Sequence, residues 1–232
     1  MYEIFFISYN EPNADKNWEI LKSRFPTARR IHGVKGIQQA HYAAAKQSFT
    51  KMFYVVDGDA EILTSFDFSH SLEKEDYETV HVWKSRNPIN GLEYGYGGVK
   101  LLPKHKVIQM SMDTVDMTTS MSNRFKVVNV VSNITAFNTD SFSAWRSGFR
   151  ECVKLSSKVI DRNYEQETED RLIVWCSEGD DKPFGKYAIA GARAGRKYGT
   201  DNISNKDALV LINDFAWLEE KFKLWQQEHG EL

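Results

Sequence analysis

Cysteine is nearly absent: Cys152 and Cys176 are the only two in 232 residues, and their spacing matches no metal knuckle or redox pair. That argues against a disulfide framework and favours two small apolar side chains in a reducing compartment. Long apolar runs are also missing. Nothing approaches the ~20 residues that a membrane helix needs. The first residues carry Glu3 and no basic stretch, so Ile4 to Ile7 reads as a strand, not a secretion signal. The expectation is a cytoplasmic protein, in a host cytoplasm if the gene belongs to a phage, with no membrane partner. Charge of one sign is missing too. The net charge of −2 gives no global pull towards nucleic acid, although it leaves room for a local basic face. No G-x-G-x-x-G opens the first helix and no G-x-x-x-x-G-K-[ST] occurs, which removes the dinucleotide fingerprint and the P-loop. There is no internal repeat and no low-complexity tract.

What is present suits one large α/β domain with a sizeable core, since aromatics make up 13% of the chain. Ile4 to Ile7 and Met52 to Val56 are short apolar runs of the kind buried on both faces of a parallel sheet. Between them, Asn13 can cap a helix over Ala14 to Arg24 that Pro26 stops, Ala28 to Ile31 is a strand, and apolar spacing turns helical from Ile37. Strand, helix, strand, helix, strand implies right-handed crossovers and a mainly parallel central sheet flanked by helices.

The second apolar run ends in Asp57-Gly58-Asp59. The carboxyl end of such a strand is where α/β proteins bind ligands. In extended backbone, side chains at i and i+2 leave one face, so Asp57 and Asp59 can converge on a hard cation such as Mn²⁺ or Mg²⁺. Asp-Gly is equally the chemistry of a plain turn, and that reading stands beside the first.

Further on, Thr79 to Trp83 reads as a strand, followed by a loop of basic and aromatic residues from Trp83 to Pro88. Tyr94 to Lys100 holds three glycines, and Lys104, His105 and Lys106 form a small cationic cluster. Met110 to Asn123 is expected to be a mobile loop or lid, and Phe125 to Val131 a strand. Helices are expected over Ser141 to Lys158 and Glu165 to Cys176. Lys182 to Lys206 is basic and studded with Gly185, Gly191, Gly195 and Gly199; it reads as a cationic loop or broken helix fit for a diphosphate or a nucleic-acid backbone, or as a solvated surface. Asp207 to Gln227 is expected to be one amphipathic helix with Leu211, Phe215, Leu218, Phe222 and Trp225 on its stripe.

This organisation resembles the GT-A glycosyltransferases, in which an N-terminal βαβαβ half ends in an Asp-x-Asp motif and a more variable acceptor half follows. The resemblance covers about residues 3 to 176. It implies a single domain: residues 1–65 binding the nucleotide sugar, residues 66–206 facing the acceptor, and residues 207–232 a C-terminal helix. It implies a UDP-sugar donor, with the loop Ser8-Tyr9-Asn10-Glu11 holding base and ribose, and with Asp59, and Asp57 directly or through the ribose or a water, holding the ion. Lys186, Arg193 and Arg196 would clamp the diphosphate, and Glu169 or Asp170 would serve as catalytic base. The metal's usual histidine ligand near the C-terminus is not evident; His105 or His81 is a candidate substitute.

A narrower likeness lies in Gly91-Leu92-Glu93-Tyr94-Gly95-Tyr96-Gly97-Gly98-Val99-Lys100-Leu101 and Trp145-Arg146-Ser147-Gly148-Phe149-Arg150-Glu151. These runs resemble small tailed-phage glycosyltransferases that decorate 5-hydroxymethylcytosine in DNA with a pentose such as arabinose. That likeness implies a partner, double-stranded DNA carrying hydroxymethylated cytosine, contacted through Trp83 to Arg86 and Tyr94 to Lys100. Two other classes remain open: transfer to a glycan or small molecule, and a non-catalytic nucleic-acid-binding protein that leaves Asp57 and Asp59 idle. A nucleotidyltransferase would show a Gly-rich loop after the first strand, where this chain has Ser8 to Pro12.

Overall fold

The structure, a computed structural model, describes residues 2–95, 97–112, 114–159 and 165–232. It divides into two compact units. The first comprises Met1–Asn87, Glu93–Met112 and Met117–Ala136; the second comprises Pro88–Leu92, Asp113–Asp116 and Phe137–Leu232.

The first unit is a mixed α/β layer structure. Its strands are β1 (Glu3–Ser8), β2 (Arg29–His32), β3 (Met52–Asp57), β4 (Ala60–Ile62), β5 (Val80–Arg86), β6 (Glu93–Tyr94), β7 (Val99–Pro103) and β8 (Phe125–Thr135). They form one sheet in the order β2-β1-β3-β7-β5-β8-β4, with β6 pairing β5 at the side. The pairs β1/β2, β1/β3 and β5/β8 are parallel, while β7 lies antiparallel to both β3 and β5. Five strands, β1, β2, β3, β5 and β8, therefore share one direction.

The unbroken apolar runs have their expected cause. Ile4 and Phe6 of β1, with Tyr54 and Val56 of β3, bury on the face covered by α1 (Ala14–Arg24). Phe5 and Ile7, with Phe53 and Val55, bury on the opposite face under α2 (Ile37–Gln47). Alternation puts successive side chains on opposite faces, and with both faces covered the polar half of the pattern vanishes. Two short helices, α3 (Lys104–Gln109) and α4 (Met117–Met121), close the second face with Val107, Met117 and Met121. The expected lid is thus in part core, because burial of Met117 and Met121 fixes it to the sheet, whereas Met112 is exposed; Asp113 lies outside the described residues. Lys104, His105 and Lys106 do not form an open cationic patch either: the His105 and Lys106 side chains face Glu78 at 3.0 and 3.6 Å.

The second unit is helical. It contains α5 (Ser141–Ser156), α6 (Glu165–Ser177), α7 (Gly185–Asp201), α8 (Lys206–Val210) and α9 (Phe215–His229). Asp140 caps α5 by accepting from the Ser143 N–H at 2.8 Å. The expected cationic loop or broken helix at Lys182 to Lys206 is, over Gly185–Asp201, the unbroken 17-residue helix α7. Its glycines serve packing: a Cβ on Gly191 would come within 2.0 Å of the Trp145 carbonyl oxygen, and one on Gly195 within 2.2 Å of that of Phe149. Glycine at i and i+4 gives α7 a flat stripe on which the α5 backbone lies directly. The expected single tail helix is broken, because Asp214 accepts from the Ala216 and Trp217 N–H groups and so starts a new helix. Leu218 and Phe222 are buried, whereas Leu211 and Phe215 are exposed. Among the described residues no helix is long and apolar enough to cross a membrane.

Candidate ligand site at the carboxyl ends of β1 and β3

The chain leaves β1 for β2 on one side and then returns to β3 on the other. Crossovers that depart to opposite sides leave a crevice beyond the carboxyl ends of the two strands, where open α/β sheets bind ligands. Ile7 pairs with Asp57 there. The loop Ser8-Tyr9-Asn10-Glu11 and the turn Gly58-Asp59 therefore meet.

Glu11 organises that loop. Its Oε2 accepts from the Tyr9 N–H at 2.7 Å. Its carboxylate also lies against Gly58, where a Cβ would come within 2.8 Å of Oε2 and 3.1 Å of Ser8 Cβ. Gly58 is not among the described glycines of positive φ. Glycine is required there for close approach, not for a left-handed backbone. Asn17 of α1 donates to the Gly58 carbonyl at 3.0 Å, and the Asp59 carbonyl accepts from the Ala136 N–H at 2.8 Å. Residues 58 and 59 form a turn, so the expectation that Asp57 and Asp59 share a face of extended strand does not hold. Both aspartates are half-buried.

Two cations reach this rim. Arg30 of β2 donates through Nε to Ser8 Oγ at 2.9 Å and pairs with Asp15 at 2.7 Å. His32 Nδ1 stands 2.9 Å from the same Ser8 Oγ. Lys100 of β7, 3% exposed, donates to Asp57 Oδ1 at 2.7 Å and Oδ2 at 2.8 Å, and also to the Gly97 carbonyl. The sheet explains that pair. Asp57 continues the alternation of Phe53 and Val55, and Lys100 that of Leu102, so both leave the sheet on the α2 face, diagonal across neighbouring strands. Gly97, at φ +89°, turns its carbonyl to the ammonium, and Gly98 accepts from the Asp57 N–H at 2.9 Å. Gly98 also faces Asn133, whose Oδ1 accepts from Ser85 and Ser132 at 2.8 Å each.

A divalent ion held jointly by Asp57 and Asp59 does not fit this arrangement. A metal ligated by Asp57 would face the Lys100 ammonium across a single carboxylate, with like charges repelling. Asp59 is the carboxylate of the pair left as a candidate ligand.

On α2, His41 is fully buried and its Nδ1 donates to the Ile37 carbonyl at 2.8 Å. Burial first, then the Lys100 charge, pushes its pKa down to about 3. The imidazole is neutral, so Lys100 is the charged group on this face nearest Asp57. His81 is no metal ligand at the rim. It is buried beside His70, their ring centroids 5.4 Å apart, and His70 in turn packs on Trp83.

Other expected residues have other work. Trp83 is a core residue of β5, Ser85 is buried, and Arg86 pairs with Glu93 at 2.7 Å, so Trp83 to Arg86 is strand and not an open DNA-binding loop. Lys100 is equally withdrawn from solvent, and Tyr96 lies outside the described residues. Glu169, Asp170, Lys186, Arg193 and Arg196 belong to the second unit. Arg196 forms an ion pair with Glu169, and Arg193 Nε donates to the Cys176 carbonyl at 2.8 Å, fastening α7 to α6. Asp170 accepts from Gln166 at 2.8 Å, and Lys186 is exposed.

Arg30 is a rim residue that the sequence did not single out, and Lys100 was expected in a DNA-facing loop and not beside Asp57. For Lys100 the available signal was a cation inside a short strand otherwise destined for burial.

The sequence matches no family model and no curated protein. Among solved structures it is similar to HddC from Yersinia pseudotuberculosis, at 10% identity and a TM-score of 0.38, over 57% of this chain and 92% of that one. It is also similar to a glycosyltransferase involved in glycosylation of the major capsid of PBCV-1, at 14% identity and a TM-score of 0.36, over 56% of this chain and 83% of that one.

Proposed function

We propose that the chain is a glycosyltransferase that moves a sugar from a nucleotide diphosphate sugar, with UDP as the expected nucleotide, to an acceptor hydroxyl. The observation that carries this reading is the meeting of the Ser8 to Glu11 loop with the Asp57 to Asp59 turn at the carboxyl ends of β1 and β3. Polar backbone and carboxylates on one wall suit a nucleoside's base and ribose. The Arg30 guanidinium beside Ser8 suits a diphosphate oxygen.

In the transfer, the acceptor oxygen bonds to the sugar's anomeric carbon as the bond to the diphosphate oxygen breaks. The acceptor proton leaves to solvent or a base, and the diphosphate departs with the electron pair. Ser8, Tyr9 and Asn10 orient the nucleotide, while Glu11 holds their loop in shape. Mn²⁺ or Mg²⁺, which the GT-A resemblance implies, would find its candidate ligand in Asp59.

For the acceptor we propose 5-hydroxymethylcytosine in DNA. A duplex must release that base from the stack before its hydroxymethyl group can reach a sugar. The sequence likeness to phage enzymes supports this choice, and a glycan or small-molecule acceptor is the alternative outcome of the same assay.

The test is UDP release from a panel of UDP-sugars, with hydroxymethylated duplex, plain duplex or no acceptor, for wild type and Asp59→Asn. Release that requires hydroxymethylated duplex and falls at least tenfold in the variant supports the reading. Absence of UDP binding and of release from every donor would remove it. Binding to DNA in a salt series adds a check, since phosphate contacts must weaken as salt rises.

A further inference from the structure

We infer that Lys100 is a built-in cation that takes the place of a divalent ion at Asp57. Three observations converge. The ammonium is almost wholly buried, and burying a charge is costly unless it is paired and hydrogen-bonded. Its protons go to both oxygens of one carboxylate and to the Gly97 carbonyl, so it is held from three sides. The Gly97 backbone sits at φ +89°, a conformation that glycine adopts without strain, to bring that carbonyl round. A pair of this kind adds little to stability over apolar packing. Its place at the ligand-binding end of the sheet gives it a use. It holds the Asp57 carboxylate rigid and charge-compensated through both of its oxygens.

The consequence for the aspartate pair is a division of labour. Asp57 carries the lysine, and a divalent ion has only Asp59 as carboxylate ligand from the pair. Hard divalent ions at protein sites with one carboxylate bind weakly and keep most of their water. The chain therefore binds no tightly held divalent ion through Asp57. Lys100 is a positioning residue, acting through Asp57. The consequence for turnover rests on the proposed glycosyl transfer; the cation chemistry does not.

Titration of Mn²⁺ alone into the full chain, followed by the free-ion paramagnetic signal, tests this directly. Wild type and Asp57→Asn should bind Mn²⁺ alike and weakly, whereas Lys100→Met should gain at least tenfold in affinity, and Lys100→Met with Asp57→Asn should lose that gain. Lys100→Gln is a second neutral variant should the methionine variant not fold. A wild-type site of micromolar affinity that Asp57→Asn abolishes would overturn the inference without touching the proposed activity. So would folded neutral variants that gain nothing. In the UDP-release assay, Lys100→Arg should stay closer to wild type than Lys100→Met. A rate that EDTA abolishes and stoichiometric Mn²⁺ restores would also overturn it. Absence of release under every condition would remove the proposed function and leave the Mn²⁺ titration to decide.

Discussion

The carboxylate of Glu11 rests against Gly58, so close that a Cβ at residue 58 would come within 2.8 Å of Oε2. The same oxygen accepts from the Tyr9 N–H at 2.7 Å. One side chain thereby ties the loop after β1 to the turn after β3. Gly58→Ala should leave the fold intact, because the clashing atom ends a flexible side chain, but the Tyr9 hydrogen bond and the loop's set should be lost. The expected outcome is about tenfold weaker UDP binding, roughly 1.4 kcal/mol, with an unfolding midpoint near wild type. Calorimetric titration of UDP with a denaturation curve on the same sample checks it.

The α5–α7 contact predicts the opposite balance. Alanine for glycine in a helix ordinarily gains about 1 kcal/mol. At Gly195 the new methyl would meet the Phe149 carbonyl oxygen at 2.2 Å, and at Gly191 the Trp145 carbonyl oxygen at 2.0 Å, neither of which can move without parting the helices. Gly191→Ala and Gly195→Ala should each destabilise by about 1–3 kcal/mol, as overpacking does. Denaturant midpoints of the two variants decide the sign.

Stability should fall as pH falls from 6.5 towards 4. His41 is pushed down to about 3, by burial and then by Lys100, and His81 to about 4, by burial and then by His70. Below the ordinary histidine range the unfolded chain binds protons that the folded chain refuses, so each such histidine costs about 1.4 kcal/mol per pH unit in that window. Above pH 7 both are neutral in either state and the effect vanishes. Denaturant unfolding at pH 7, 6 and 5 should show this slope, and His41→Gln should reduce it.

In the second unit the Cys176 thiol is drawn down to about 7, first by the hydrogen bond from Cys152, then by the charges of Arg196 and Arg193, against its own burial. Burial pushes Cys152 well up. Thiolate is the reactive form. Alkylation by iodoacetamide should therefore strike Cys176, with a half-maximal rate near pH 7, and spare Cys152. Cys152→Ala should move that midpoint upward. Peptide mass spectrometry across a pH series reads both.

The sequence by itself determined β1, β3, α1 and α2, and placed Asp57 and Asp59 at the end of a buried strand. Apolar periodicity records which faces of an element are covered, and here it is complete: Ile4 to Ile7 and Met52 to Val56 bury both faces, and Ile37, Ala40 and Ala44 bury one. Only the tertiary structure decided that Asp57 faces Lys100, 43 residues away, because strand order brings β7 beside β3 and no local pattern encodes that neighbour. The glycines of α7 misled for a related reason. In isolation glycines weaken a helix, and at Gly191, Gly195 and Gly199 it takes α5 against their flat stripe to turn that weakness into a contact. Trp83 and the basic residues around it read as a surface loop, since alternation cannot tell a polar side chain facing water from one buried among partners such as Ser85 and Asn133.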